Sequence, residues 1–350
     1  MDFHRFSFII CLFLFFSLLR IQSVTSSTNS SNSKEGFDYS PYIRIDEDGR
    51  VERFNDVTRA PPGFDPETNV ESKDILFSPE NNLTLRLYLP NNTNQINQNQ
   101  KLPLVFYFHG GGFFVRGAFN PLNHNFVNNL ASEANAIVVT VEYRKAPEHP
   151  IPVLYEDSWT ALKWVASHFD QQGPEDWLNN RADFQRAFLS GSGAGGNIAH
   201  QMCMKNGVYE EKLKGVNFMD LILFNPFFWG REVLAGKTDN RTRGGRVERL
   251  WKFVYPNTTN GIDDPWINPA KDPNLGRVGC SGVQVFVSEN DFMRERGWYY
   301  AQKLRESGWS GDMVVVDYKG EDHNFHLANL TSKNSVDLRR RTVLVINQEG

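Results

Sequence analysis

The chain has 350 residues, 40% apolar, 13% aromatic and 22% charged, with 37 basic against 41 acidic side chains and a formal charge of -4. That balance excludes a disordered protein, a collagen-like repeat and a disulfide-rich miniprotein, and it leaves no basic footprint for nucleic acid. Three cysteines, Cys11, Cys203 and Cys280, supply neither a disulfide framework nor a zinc cluster.

The first predicted element is a leader. Residues 6–19 are apolar except for Ser7 and Ser17, too short a run for a bilayer span and suited to a signal-peptide core. Small residues at Ser23, Thr25, Ser26 and Ser27 offer a cleavage site near Ser26. Residues 1–26 are therefore expected to be a signal peptide, leaving a mature N-terminus between Ser23 and Thr28. Secretory entry follows, to the cell exterior or vacuole, without stable membrane insertion after cleavage. Asp2 weakens the basic start, so an uncleaved membrane anchor is the alternative. N-terminal sequencing that finds Met1 retained on a soluble cytosolic protein would overturn both. Six sequons, at Asn29, Asn82, Asn91, Asn240, Asn257 and Asn329, are compatible with a glycoprotein. With Cys11 removed, Cys203 and Cys280 remain as buried thiols or one bridge.

The Ser/Asn/Thr tract at 26–34 is too polar to pack, so 27–36 reads as a disordered linker. Strands are predicted at 83–89 and 102–108, separated by a polar loop at 91–100, and at 136–141, a β-branched run typical of a buried parallel strand. Helical spacing follows over 157–168. Residues 187–189 lead as a strand through a glycine cluster into a helix at 197–204. Shorter strands are predicted at 221–224, 283–287 and 313–316. Strands alternating with helices imply a parallel sheet covered on both faces. The aromatic, turn-rich stretch 227–269 reads as an insertion over the sheet edge.

His109-Gly110-Gly111-Gly112-Phe113 follows directly on the strand at 102–108. Consecutive glycines let backbone amides come close to a ligand and face a developing oxyanion, although a plain glycine-rich turn has the same composition. After a strand, this sequence resembles the oxyanion loop of the lipase/esterase branch of α/β-hydrolases. Val141-Glu142-Tyr143-Arg144-Lys145-Ala146-Pro147-Glu148-His149-Pro150 resembles the V-E-Y-R-L-A-P-E-H-P signature of plant carboxylesterases of the hormone-sensitive-lipase type. Residues 41–53 resemble that family's amino-terminal lid, and Gly261-Ile262-Asp263-Asp264-Pro265 with Asn268-Pro269 its later lid. The resemblance covers about residues 37–347. It implies one α/β-hydrolase domain over 37–350: a mostly parallel central sheet, helices on both faces, and a lid from about 37–66 and 227–269. It also implies a small apolar metabolite as substrate. No oligomeric state follows from it.

Where the family's nucleophile elbow reads G-D-S-A-G-G-N, this chain reads Gly191-Ser192-Gly193-Ala194-Gly195-Gly196-Asn197. The Ala-Gly-Gly-Asn tail fixes the alignment and puts Gly193 in the serine's place. Ser192 falls on the aspartate position and is expected to point away from the site. Taking Ser192 as the centre of G-x-S-x-G fails, because Ser190 and Ala194 would stand at glycine positions. Gly191, Gly193 and Gly196 also satisfy a dinucleotide fingerprint. The next strand, however, runs into Asn225-Pro226 and carries no acid for a ribose, so no nicotinamide cofactor is expected. No cofactor of another kind is implied. Asp291 and His323 resemble the family's acid and histidine loops in triad order, which implies a base, His323, oriented by Asp291. An acidic turn and a loop histidine are the plain alternatives. By the same resemblance, the amides of Gly110, Gly111 and Ala194 form the oxyanion hole. His124, His149, His168, His200 and His326 show no metal-ligand spacing and read as packed or exposed, so no metal is expected.

Losing the serine of a triad removes about six orders of magnitude of kcat, so hydrolysis through an acyl-enzyme should nearly vanish. Proton abstraction beside a carbonyl, elimination, dehydration or cyclisation keeps its parts. The plant family includes isoflavanone dehydratases with an altered nucleophile, alkaloid cyclases and the gibberellin receptor. The resemblance thus implies an enzyme of specialised metabolism. Three alternatives stay open: a weak carboxylic-ester hydrolase using a His-activated water, a non-catalytic small-molecule-binding protein, and an inactive paralogue with no selected chemistry. The retained His323 and Asp291 favour the enzyme.

Overall fold

The computed structural model describes residues 37–54, 58–91, 101–208, 212–234 and 240–348. The expected signal peptide and linker, most of the polar tract at 91–100, and Asn29 lie outside these residues. The first three strands, β1 (Phe37–Tyr39), β2 (Ile43–Ile45) and β3 (Val51–Arg53), form a small antiparallel strap of their own. Nine strands make the main sheet: β4 (Gly63–Asp65), β5 (Val70–Ser78), β6 (Leu83–Pro90), β7 (Leu102–Phe108), β8 (Ile137–Glu142), β9 (Ala182–Ser192), β10 (Phe218–Phe224), β11 (Gly282–Ser288) and β12 (Asp312–Tyr318). Their spatial order is β12-β11-β10-β9-β7-β8-β6-β5-β4. Strands β12 through β8 run parallel, and β6, β5 and β4 continue the sheet antiparallel.

The parallel strands are buried on both faces, which is why they read as continuous apolar runs. In β7, Leu104, Phe106 and Phe108 face one core, and Val105 and Tyr107 face the other. Each such side chain contributes about 1.5–3 kcal/mol by leaving water. Helices α1 (Pro121–Ala134) and α8 (Lys333–Asn347) cover the second core. Helices α2 (Val153–Ala166), α4 (Ala194–Val208) and α6 (Arg294–Glu306) cover the first. Helix α1 starts where the Asn120 side chain accepts from the Leu122 amide at 3.1 Å, with Pro121 in the first turn. It stops where Asn135 turns left-handed, at φ 48°.

The mostly parallel sheet with helices on both faces matches the expectation. Strand β7 falls on its predicted bounds, while β9 starts five residues earlier than the predicted 187. Two short helices, α3 (Asp176–Arg181) and α7 (Phe325–Ala328), complete the framework. The insertion carries α5 (Asn240–Val254), whose Val247, Leu250, Trp251 and Val254 sink into the first core. Phe37 of the strap stacks on Phe253 at a centroid distance of 4.1 Å, so strap and insertion touch each other. Cys203 and Cys280 are free thiols. The segments after β7, β9, β11 and β12 leave the sheet at the carboxyl ends of parallel strands, the edge where such sheets place their sites.

Candidate active site

Gly193 sits at the turn from β9 into α4 with φ +56°, a left-handed conformation that strains any residue with a β-carbon. Its amide donates to the Phe224 carbonyl at 2.9 Å, and its carbonyl accepts from Gly196 and Phe227 at 3.0 and 2.9 Å. A β-carbon placed on Gly193 would stand 3.2 Å from His323 Nε2. The structure therefore brings position 193 directly against the imidazole.

His323 Nδ1 lies 2.7 Å from Asp291 Oδ2. Asp291 is 3% exposed, and its second oxygen accepts from the Met293 amide at 3.0 Å. Asn225, which sequence reasoning passed over, donates its Nδ2 to Asp291 Oδ2 at 3.0 Å and to Ser288 Oγ at 2.9 Å. Its own backbone is left-handed, at φ 44°, as it leaves β10. Asn324, also passed over, places its Nδ2 3.0 Å from His323 Nε2. Both asparagines sit in turns that the eye reads as connection. Only their left-handed tolerance marks them beforehand.

The Gly110–Gly112 loop follows β7. Gly111 has φ +120°, and a β-carbon there would lie 1.9 Å from the Val115 carbonyl oxygen, so the tight loop admits no side chain. Among the described residues, no backbone carbonyl accepts from the amides of Gly110 or Gly111. Ala194 opens α4, where first-turn amides have no partner within the helix. A β-carbon on Gly110 would stand 3.6 Å from Asn324 Nδ2, so the glycine loop and the histidine loop meet across one small space.

Residues 105–327 match the family described as alpha/beta hydrolase fold, and residues 54–147 the one described as Carboxylesterase family. A protein of Arabidopsis thaliana named "Probable carboxylesterase 1" is 44% identical over 320 residues, 91% of this chain and 99% of that one. The chain belongs to the carboxylesterase family of α/β-hydrolases. The chain is also 40% identical over 326 residues to the 2-hydroxyisoflavanone dehydratase of Glycyrrhiza echinata, covering 90% of this chain and 97% of that one. Two solved structures share its fold. One is a hyperthermophilic esterase from the archaeon Pyrobaculum calidifontis, with TM-score 0.62, 24% identity, and 79% and 85% of the two chains covered. The other is vibralactone cyclase, with TM-score 0.65, 18% identity, and 80% of each chain covered.

In this carboxylesterase-family chain, the signature at 141–150 serves as scaffolding for the glycine loop. The Tyr143 hydroxyl donates to the His109 carbonyl at 2.8 Å, and its ring stacks on His109 at 4.2 Å. Glu142 accepts from the Ala118 amide at 2.6 Å and from Lys145 Nζ at 3.0 Å. Burial alone would raise the Glu142 carboxyl, but the Lys145 ammonium helps hold it below the usual range. Arg144 forks onto Asp157 of α2, and the Ala146 amide donates to the Phe113 carbonyl at 3.1 Å. Arg53 of the strap donates to the carbonyls of Phe114 and Ala146 at 2.6 and 2.7 Å, and pairs with Glu148.

Ser192 is fully buried, with its hydroxyl 2.8 Å from the Tyr107 hydroxyl and 3.0 Å from His326 Nε2. Burial pushes the His326 imidazole down to about 3, so it stays neutral and accepts from or donates to the serine without charge. Ser192→Ala should cost about 1–3 kcal/mol by stranding two buried polar groups. Chemical denaturation measures that loss, and turnover of any substrate should persist in the variant. Loss of turnover with stability unchanged would show that Ser192 is the reacting hydroxyl after all.

Proposed function

We propose that this carboxylesterase-family chain uses His323 and Asp291 as a general base for proton-transfer chemistry on a small carbonyl-containing metabolite. Elimination, dehydration and cyclisation are the reactions meant, in plant specialised metabolism. The observation that carries the reading is Gly193, a residue without a hydroxyl, set against His323 Nε2 while the neighbouring Ser192 is bonded into the core. A covalent acyl intermediate needs a nucleophile at that place. Proton removal needs only the base and donors for the developing oxyanion.

For a β-hydroxy carbonyl compound the step balances without any cofactor. Nε2 takes the proton from the carbon beside the carbonyl, and the amides of Gly110, Gly111 and Ala194 hold the enolate oxygen. The C–O bond then breaks, the double bond forms, and the imidazolium returns its proton to the departing hydroxide as water. The dehydratase relative supports this direction, since its printed activity is of this class.

The test is turnover of 2-hydroxyisoflavanone and of the benzaldehyde–acetone aldol, read as the gain of a conjugated product, beside hydrolysis of an aryl acetate. Untargeted metabolite profiling of tissue with and without the protein extends the search for the substrate. Aryl acetate hydrolysis with an acyl-enzyme burst in the unaltered protein would sink the proposal. Hydrolysis without a burst would favour a His-activated water instead. Entry into the secretory pathway remains part of the proposal, supported by the exposure of all four sequon asparagines with described side chains, Asn82, Asn91, Asn257 and Asn329.

A further inference from the structure

Nothing in the sequence pattern marks Asn324, one loop residue beyond His323. Its backbone is left-handed, at φ 55° and ψ 34°, and its amide donates to Asn225 Oδ1 at 3.3 Å. Asn225 in turn bonds Asp291 Oδ2, so one asparagine holds both the acid and the backbone of Asn324. That placement aims the Asn324 carboxamide into the space between Gly193, Gly110 and the imidazole. Nδ2 lies 3.0 Å from His323 Nε2, and 3.4 and 3.6 Å from β-carbons placed on Gly193 and Gly110.

The contact between His323 Nδ1 and Asp291 fixes which end of the carboxamide faces the ring. A carboxylate 2.7 Å from Nδ1 accepts its hydrogen, so in the neutral form of the ring Nε2 carries none. A bare Nε2 accepts, and only the NH2 end of Asn324 donates to it. The other end, Oδ1, is left buried and without a hydrogen-bond partner among the described residues, an arrangement that packing alone does not reward.

We infer that Asn324 is a positioning residue that takes the place of the missing hydroxyl at His323 Nε2, holding the ring in its proton-accepting tautomer until a substrate displaces the amide. The inference rests on the reading of His323 as the base. It adds a donor to Nε2 that favours the tautomer with its hydrogen on Nδ1. A substrate then competes with one hydrogen bond for the imidazole, and a serine introduced at position 193 meets the same competitor.

The experiment is carbethoxylation of histidine by diethylpyrocarbonate at neutral pH, with His323 followed by peptide mass spectrometry and half-buried His149 as the internal reference. The reagent attacks a bare imidazole nitrogen, and the His323 side chain is 12% exposed. Two variants are compared with the unaltered protein, and glycine and aspartate both accept the left-handed backbone at 324. Asn324→Gly removes the donor, and His323 should label about five to ten times faster, the factor of one ordinary hydrogen bond. Asn324→Asp keeps the size but can only accept, so it retains a proton on Nε2, and labelling should fall several-fold below the unaltered rate. His149 should label equally in all three. Mere steric cover by the side chain predicts equal rates for asparagine and aspartate, and that result overturns the inference. So does an unchanged rate in Asn324→Gly. The readout involves no turnover. Should His323→Ala retain turnover while the labelling rates shift as described, the base reading fails and the role of Asn324 at Nε2 stands.

Discussion

Gly193→Ser should hydrolyse short-chain aryl acetates at least a hundredfold above the unaltered protein, and Gly193→Ser with Asn324→Gly should be faster still. A β-carbon at 193 stands 3.2 Å from His323 Nε2, so a hydroxyl on it reaches the base once the ring gives way by a few tenths of an ångström. The amides of Gly110, Gly111 and Ala194 stay where they are. Removing a triad serine costs about six orders of magnitude in kcat, so recovery of two or more is a modest part of what the geometry permits. Two features keep it partial. The Asn324 amide occupies the lone pair that must take the serine's proton, and the new side chain crowds its Nδ2 at 3.4 Å. Stability should fall as activity rises, because a side chain at this left-handed turn costs about 1–3 kcal/mol that glycine avoids. For a chain this long that is a drop in Tm of several degrees. The decisive control is Gly193→Ser with His323→Ala, which should return to background. A serine variant that stays at the unaltered rate would show that position 193 is not the elbow.

His323→Ala should lower the turnover of any accepted substrate by about 10²–10⁴-fold, the usual contribution of a general base. Asp291→Asn should lower it by as much as about 10⁴-fold, although the residue never meets substrate. An asparagine at 291 can offer an N–H to Nδ1, which would push the ring proton to Nε2 and present the wrong tautomer. Asn225 already donates to that carboxylate oxygen at 3.0 Å, which favours keeping the carbonyl end of the new amide there and softens the effect. Initial rates at saturating and limiting substrate separate the two cases from a binding defect. Tm should move by only a few degrees for His323→Ala, because the loop histidine fills little of the core. Turnover unchanged in both variants would leave the pair as a relic of hydrolysis.

The central sheet was legible because its strands are buried twice over. Residues 102–108 are apolar without interruption, and a run of seven is the length of a buried strand and too short for a buried helix. Strand β9 was cut short because Asp183, Gln185 and Arg186 make its first half polar. Asp183 pairs with Pro103 of β7, and an irregularity then passes over Gln185 and Arg186 before pairing resumes between Ala187 and Leu104. Helix α8 was missed because Arg339, Arg340 and Arg341 mask the stripe of Leu338, Thr342 and Ile346 that packs inward. In the site, the glycine loop, the elbow, Asp291 and His323 could be read as local strings. Asn225 and Asn324 could not. Their contacts span 66 and 99 positions or depend on a left-handed backbone, and neither property leaves a local pattern.

The Arg53 guanidinium couples the strap to the glycine loop. It closes the strap at 37–54 by satisfying two carbonyls of the segments that frame the glycine loop, those of Phe114 and Ala146. Detaching the strap would strand both carbonyls at once and break the ion pair with Glu148. Fraying of the amino-terminal segment and slackening of the glycine loop are thus one opening event instead of two.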